Sequence, residues 1–152
     1  MVDIDLLKKL RNETQVSLAD CRKALEETNN DYSKAREWLK HHGIEKAAKK
    51  GDRETSQGLI ESYTHQTGRV GSIIELLCET DFVARTEEFK NLAHEIAMQV
   101  AAMNPKDMES LQKQDYIRDN SKTIEGLIKE TIAKLGENIQ LKRFKRFEIG
   151  SE

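Results

Sequence analysis

A chain of 152 residues with 34% charged and 37% hydrophobic side chains and a single proline has the composition of a charged, helix-rich globular protein. It is long enough to bury a core and unlike a disordered chain. The formal net charge of −2 argues against a general polyanion binder, which carries a strong basic excess, and no apolar run approaches the length of a membrane span.

Met1-Val2-Asp3-Ile4-Asp5 lacks the basic and apolar regions of a secretory signal, so the expected location is the cytosol. Residues 3 to 43 carry three short helical patterns. Ile4, Leu7 and Leu10 mark the first; Ser17, with Asp20 three residues on, caps a second that continues through Cys21, Ala24 and Leu25. The third begins near Asp31, aligns Ala35, Trp38 and Leu39, and is expected to stop at Gly43. So small a bundle is marginal on area grounds and needs the rest of the chain or a partner. Residues 44 to 58 read as a charged, partly helical connector. Its basic cluster, Lys46, Lys49, Lys50 and Arg53, reads as a solvated face.

From Leu59 the pattern turns to strands. Leu59 to His65 and Val70 to Thr80 flank the turn Gln66-Thr67-Gly68-Arg69, which predicts an antiparallel hairpin whose apolar second strand is central. Thr86-Glu87-Glu88-Phe89 then has the form of a capped helix start. Phe89, Leu92, Ala93, Ile96, Ala97, Val100 and Ala101 make the clearest amphipathic helix, ended by Asn104-Pro105. Met108 to Tyr116 reads as a weaker helix. Ile124, Leu127, Ile128, Thr131 and Leu135 give another amphipathic helix, closed by Gly136. The tail is β-like, with Ile139, Leu141, Phe147 and Ile149 in one alternating set. Phe144 falls on the opposite face, so either a bulge resets the register or both faces are partly covered. The fold class expected is α+β: a three-helix bundle followed by a three-stranded antiparallel sheet packed with helices.

Catalytic equipment is missing from the sequence. His41 and His42 are adjacent rather than one helical turn apart, His65 and His94 are isolated, and no phosphate-loop, nucleophile-elbow or zinc-helix motif occurs. Cys21 and Cys78 sit among apolar neighbours and read as buried free thiols. No enzyme activity, metal or cofactor is expected, and binding is the reading that remains. The stretch that stands out is Cys78-Glu79-Thr80-Asp81-Phe82-Val83-Ala84-Arg85, a strand-to-helix corner holding an aromatic beside an acid. From the residues alone Phe82 reads as a core plug, Asp81 as a turn or capping residue, Leu18 as bundle core, and Lys8 and Arg11 as a solvated face.

Several motifs, in order along the chain, resemble the elongation factor Ts family. These are Leu10-Arg11, Asp20-Cys21-Arg22-Lys23-Ala24-Leu25, Lys46-Ala47-Ala48-Lys49-Lys50, the corner Cys78 to Arg85, and Gly136-Glu137-Asn138-Ile139 with Lys142-Arg143. The resemblance implies a ubiquitin-associated-like bundle over residues 1–46, a connector over 47–58 and an α+β core over 59–152. It further implies guanine-nucleotide exchange on elongation factor Tu. Thr80, Asp81, Phe82 and Val83 would intrude near the partner's Mg²⁺ and phosphates, and Lys8, Arg11, Leu18 and Ala19 would give a second grip. Two departures stand out: Thr14-Gln15 where the family has Thr-Gly, and Leu18-Ala19 where it has two methionines. With room for one core unit, the chain resembles the short form, for which a homodimer is implied; no membrane and no direct nucleic-acid contact is expected. Two rival functions are a ubiquitin-type interaction module, whose usual triplet is replaced by Thr14-Gln15-Val16, and an RNA binder using Lys142 to Phe147.

Overall fold

The computed structural model describes residues 1–14 and 16–151, with the side chains of residues 44–49 outside the described set. Gln15 and most of the connector motif Lys46 to Lys50 therefore lie outside the described residues. In chain order the elements are α1 (Ile4–Thr14), α2 (Leu18–Glu27), α3 (Tyr32–Lys50), β1 (Gln57–Thr64), β2 (Val70–Cys78), α4 (Asp81–Ala84), α5 (Glu87–Met103), α6 (Met108–Lys113), β3 (Asp115–Tyr116), β4 (Asp119–Thr123), α7 (Ile124–Leu135) and β5 (Ile139–Glu148). The expected α+β class is what forms.

Two hydrophobic clusters organise these elements. The smaller joins Leu7 and Leu10 of α1, Cys21, Ala24 and Leu25 of α2, and Ala35 and Leu39 of α3, with Trp38 packed at its margin. Local capping sets the helix starts. Asp3 Oδ1 accepts the N–H groups of Asp5 and Leu6, Ser17 Oγ accepts that of Asp20, and Asp31 Oδ1 accepts that of Lys34. Helix α3 does not stop at Gly43 but runs on to Lys50. The glycine serves a crossing instead of a cap: a Cβ there would lie 3.1 Å from the Ala133 Cβ of α7, closer than most side chains tolerate. Among the described residues no helix is long and apolar enough to cross a membrane.

The larger cluster lies between α5, α7 and one face of an antiparallel sheet of order β1-β2-β5. Its fully buried members include Phe89, Ile96, Val100, Ile124, Ile74 and Leu76. Ser72 Oγ reaches from β2 to the Ala97 carbonyl at 2.5 Å, fastening the sheet to α5 and satisfying a buried hydroxyl. The β2–β5 register pairs Glu75 with Arg143 but Leu76 with Leu141, so Lys142 is the extra residue of a bulge. That bulge settles the alternative left open by the alternation of β5. Leu141 and Phe144, three residues apart, both turn toward the core, and Phe147 turns away.

Between α5 and α7 the structure departs from the expected weak helix over Met108 to Tyr116. Helix α6 ends at Lys113, and a two-stranded hairpin of β3 and β4 follows. Buried Gln99 explains why so polar a segment settles there. Its Nε2 donates to Gln114 Oε1 and the Asp115 carbonyl, both at 3.1 Å, and its Oε1 accepts the Ile117 N–H at 3.1 Å. One glutamine on α5 thus holds the turn region by three hydrogen bonds.

Candidate partner-binding site

Strand β2 ends at Cys78, and the chain turns at once into the single helical turn α4. Thr80 is its N-cap, with Oγ1 accepting the Val83 N–H at 3.3 Å. Six residues later Thr86 Oγ1 accepts the Phe89 N–H at 3.2 Å and opens α5. Thr86 also donates its hydroxyl to the Val83 carbonyl at 2.8 Å, so the corner is closed at both ends by threonines. Val83 and Ala84 pack against the main core, which leaves Phe82 on the outer side of the turn, 78% exposed. Phe82 is therefore not a core plug. An aromatic so exposed on a helix too short to stand alone is a presented side chain.

Asp81 is also exposed and ion-pairs with Arg85 at 3.0 Å, one turn on. Beneath the corner Cys78 is fully buried and donates its thiol to the Thr80 carbonyl at 3.1 Å. Burial, and after it the nearby charge of Glu137, push the Cys78 thiol up to about 11, so it remains a neutral packing group at physiological pH. Cys21 is likewise buried and its thiol is raised by desolvation.

The corner is tied to the turn between α7 and β5 by a set of bonds that pattern analysis did not reveal. Gly136 caps α7 in the left-handed conformation at φ 77°, which turns the next residues toward the end of β2. Glu137 Oε1 accepts the N–H groups of Glu79 at 3.2 Å and Thr80 at 2.9 Å, while its Oε2 accepts the Thr80 hydroxyl at 2.7 Å. Glu79 reciprocates, accepting the Asn138 N–H at 2.6 Å, and lies 3.6 Å from Arg53. The buried Asn138 side chain donates to the carbonyls of Arg53 at 2.8 Å and Gly51 at 3.4 Å, joining the segment after α3 to the same cluster. Gly136-Glu137-Asn138 stood out only through its family resemblance; a spacing of 57 residues between Thr80 and Glu137 carries no local signal.

The second group, Lys8 and Arg11 on α1 with Leu18 and Ala19 at the start of α2, is exposed throughout. Leu18 stands 50% open rather than in the bundle core. These four belong to the helical bundle, while the corner belongs to the sheet, so the structure presents two separate groups of candidate contacts.

Other parts of the surface offer less. A cleft of about 390 Å³ lies between bundle and core, but its Arg36 faces Glu13 at 4.0 Å and its Lys122 pairs with Glu130 at 2.8 Å, a seam of matched charges. Among the described residues no three His, Cys, Asp or Glu side chains gather as metal ligands. His42 stacks on Trp38 with centroids 3.6 Å apart, and His94 lies edge-on to Tyr63 at 5.8 Å. The basic residues of β5 are divided between faces. Arg143 pairs with Glu75 at 2.6 Å on the outer face, whereas Arg146 donates to the Ala101 carbonyl at 3.0 Å on the inner one.

Comparison with known proteins accounts for both ends of the chain. The family model described as Elongation factor TS matches residues 79–152, and that described as Elongation factor Ts, mitochondrial, N-terminal matches residues 2–51. The chain is 43% identical over 190 residues to Elongation factor Ts, chloroplastic, of Guillardia theta, an alignment covering 95% of this chain and 87% of that protein. It is 40% identical over 194 residues to Elongation factor Ts of Thermotoga neapolitana, covering 99% and 98% of the two chains. It is 39% identical over 191 residues to Elongation factor Ts of Oleidesulfovibrio alaskensis, with 96% of each chain covered. These alignments are longer than the 152-residue chain, so each relative carries positions with no counterpart here. With both family models matched and such identity over nearly its whole length, the chain belongs to the elongation factor Ts family and has a role in translation elongation.

Proposed function

We propose that the protein is a non-catalytic, cytoplasmic guanine-nucleotide exchange factor that binds GDP-loaded elongation factor Tu and promotes GDP release. The observation that carries this reading is Phe82, 78% exposed on a one-turn helix whose backbone is fixed from the opposite side. Phe82 supplies shape and apolar area, Asp81 supplies charge beside it, and Thr80 and Val83 set the backbone that carries both. Tight GDP binding depends on Mg²⁺ and on N–H groups aimed at phosphate oxygens, so a wedge that displaces this geometry lowers nucleotide affinity. Such a protein needs no catalytic group. It has to bind the nucleotide-free partner better than the loaded one, and linkage then makes GDP weaken its binding by the same ratio.

In this reading residues 1–46 form a ubiquitin-associated-like module that grips the partner through Lys8, Arg11, Leu18 and Ala19. Residues 47–58 connect it to the core, residues 59–152. The protein acts as a homodimer, and the support for this is the outer face of the sheet. There Ile60, Ile73 and Phe147 are exposed on three adjacent strands, around the Glu75–Arg143 ion pair. A two-fold axis through that face would bury the apolar groups of both copies.

The test is release of a fluorescent GDP analogue from elongation factor Tu. Wild type is expected to accelerate release, and Phe82→Ala to lower that acceleration by about thirtyfold or more, the loss typical of a buried aromatic anchor. Its melting temperature should stay unchanged, because an exposed side chain contributes little to the fold. Wild type without effect on release at any concentration sinks the exchange reading. Full activity in Phe82→Ala removes the corner from it.

A further inference from the structure

Phe82, 78% exposed, has little packing of its own to aim it, so its direction is set largely by the backbone beneath it, and a four-residue helix cannot fix that backbone unaided. Val83 and Ala84 pin the inner side of the turn to the core. The entrance to the turn has a different anchor. The N–H groups of Glu79 and Thr80 emerge just beyond the last β2 residue, and both go to one carboxylate oxygen of Glu137, whose other oxygen takes the Thr80 hydroxyl. That hydroxyl in turn accepts the Val83 N–H, so a hydrogen-bond chain runs from the charge on Glu137 through Thr80 into α4. Charged acceptors make the stronger hydrogen bonds, and chains of this kind reinforce one another.

Glu137 is itself held. It follows the left-handed cap Gly136, and the next residue, Asn138, is buried and bonded to Glu79 and to the carbonyls of Gly51 and Arg53. The carboxylate therefore arrives at the corner from a rigid base that also fixes the segment leading back to the bundle.

We infer that Glu137 is a positioning residue for exchange. Its bidentate carboxylate sets the pose of Phe82 in the free protein, so that the partner meets a wedge already formed. This rests on the exchange reading of the corner. Pre-forming a contact removes the ordering cost otherwise met on binding, and here the saving falls on the group that must displace the nucleotide's surroundings. Glu137 touches neither partner nor nucleotide; it acts through Thr80 and the backbone of α4.

Two measurements on Glu137→Ala test it together. The first is amide hydrogen exchange by NMR in the free protein. The Glu79 and Thr80 amides are expected to exchange about tenfold faster or more, with the Leu76 amide in the neighbouring strand unchanged, because two donors lose a charged acceptor. The second is stimulated GDP release across a concentration series. The maximal rate is expected to fall about tenfold while the half-saturating concentration moves less than about threefold, since the binding surface is intact and only the aim of the wedge is lost.

Glu137→Gln keeps an oxygen for the two N–H groups and should recover most of the maximal rate. If Glu137→Ala does not fold, Glu137→Asp takes its place: it keeps the charge but withdraws it by one methylene, and should show the same pair of losses. Wild-type maximal release in the folded alanine or aspartate variant overturns the inference, as does unchanged protection of Glu79 and Thr80. A rise in half-saturating concentration with the maximal rate preserved overturns it too. Should wild type itself fail to stimulate release, the exchange reading falls, and with it the functional part of this inference. The amide measurement still decides whether Glu137 holds the corner.

Discussion

Phe82 and Phe147 are the two most open aromatics of the core, 78% and 63% exposed, and they stand on opposite kinds of surface. Phe82 projects from a single helical turn, with an ion pair beside it and a carboxylate clamp behind it. Phe147 lies on the outer face of a three-stranded sheet, in the company of Ile60 and Ile73. An isolated knob adds little area but can enter a cavity; a broad apolar face spread over several strands enters nothing but can cover a matching one. Exposure alone does not separate these uses. What separates them is whether the backbone under the side chain is held for direction or merely continues a sheet.

That contrast can be broken most directly at the sheet. Ile73→Glu places a charge at the centre of the outer face and should weaken self-association by about thirtyfold or more, as loss of a central anchor does, read by sedimentation equilibrium. Phe82→Ala should leave self-association unchanged. If Ile73→Glu remains as associated as wild type, the outer face of the sheet is not the dimer surface.

A smaller effect probes the dry base of the corner. The folded-state pKa of Cys78 is raised from 9.0 to about 11, so its contribution to stability is fully present below about pH 9. It is lost as pH rises toward about 11, because the unfolded chain ionises first. Urea midpoints between those limits should therefore fall more steeply for wild type than for Cys78→Ala; parallel curves would show the thiol to be accessible in the folded state. Smallest of all, Arg85→Ala removes an exposed one-turn ion pair and should change stability by less than about 0.5 kcal/mol and release by less than about twofold. A larger loss of release would mean that Asp81 depends on Arg85 for its direction.

How much of this was legible depends on how local each signal is. The hairpin, the apolar stripe of α5 and the caps Ser17, Thr86 and Gly136 were readable because period and capping chemistry act over a few residues. Gly43 misled for the opposite reason. A glycine after a helical stripe is ordinarily a terminator, but here close approach of α7 at Ala133 uses its missing Cβ within a continuing helix. The β3–β4 hairpin escaped because its anchor, Gln99, sits on an apolar helix and declares itself only once Gln114, Asp115 and Ile117 come within reach. At the corner the sequence marked Asp81 and Phe82 through family resemblance, while local reading placed Phe82 inside. The Glu137 clamp was invisible to both, since it joins two turns that only the folded sheet brings together.

The bulge at Lys142 has a consequence for how such a protein can change. Because one extra residue sits in β5, the two halves of that strand run in opposite phase: odd positions before it point into the core, odd positions after it point out. Were the bulge absorbed, so that Lys142 took an ordinary place opposite Glu75, Leu141 would stay where it is while Phe144 and Phe147 exchanged destinations. The outer surface could thus be rewritten wholesale by a shift of frame, without a change in any side chain.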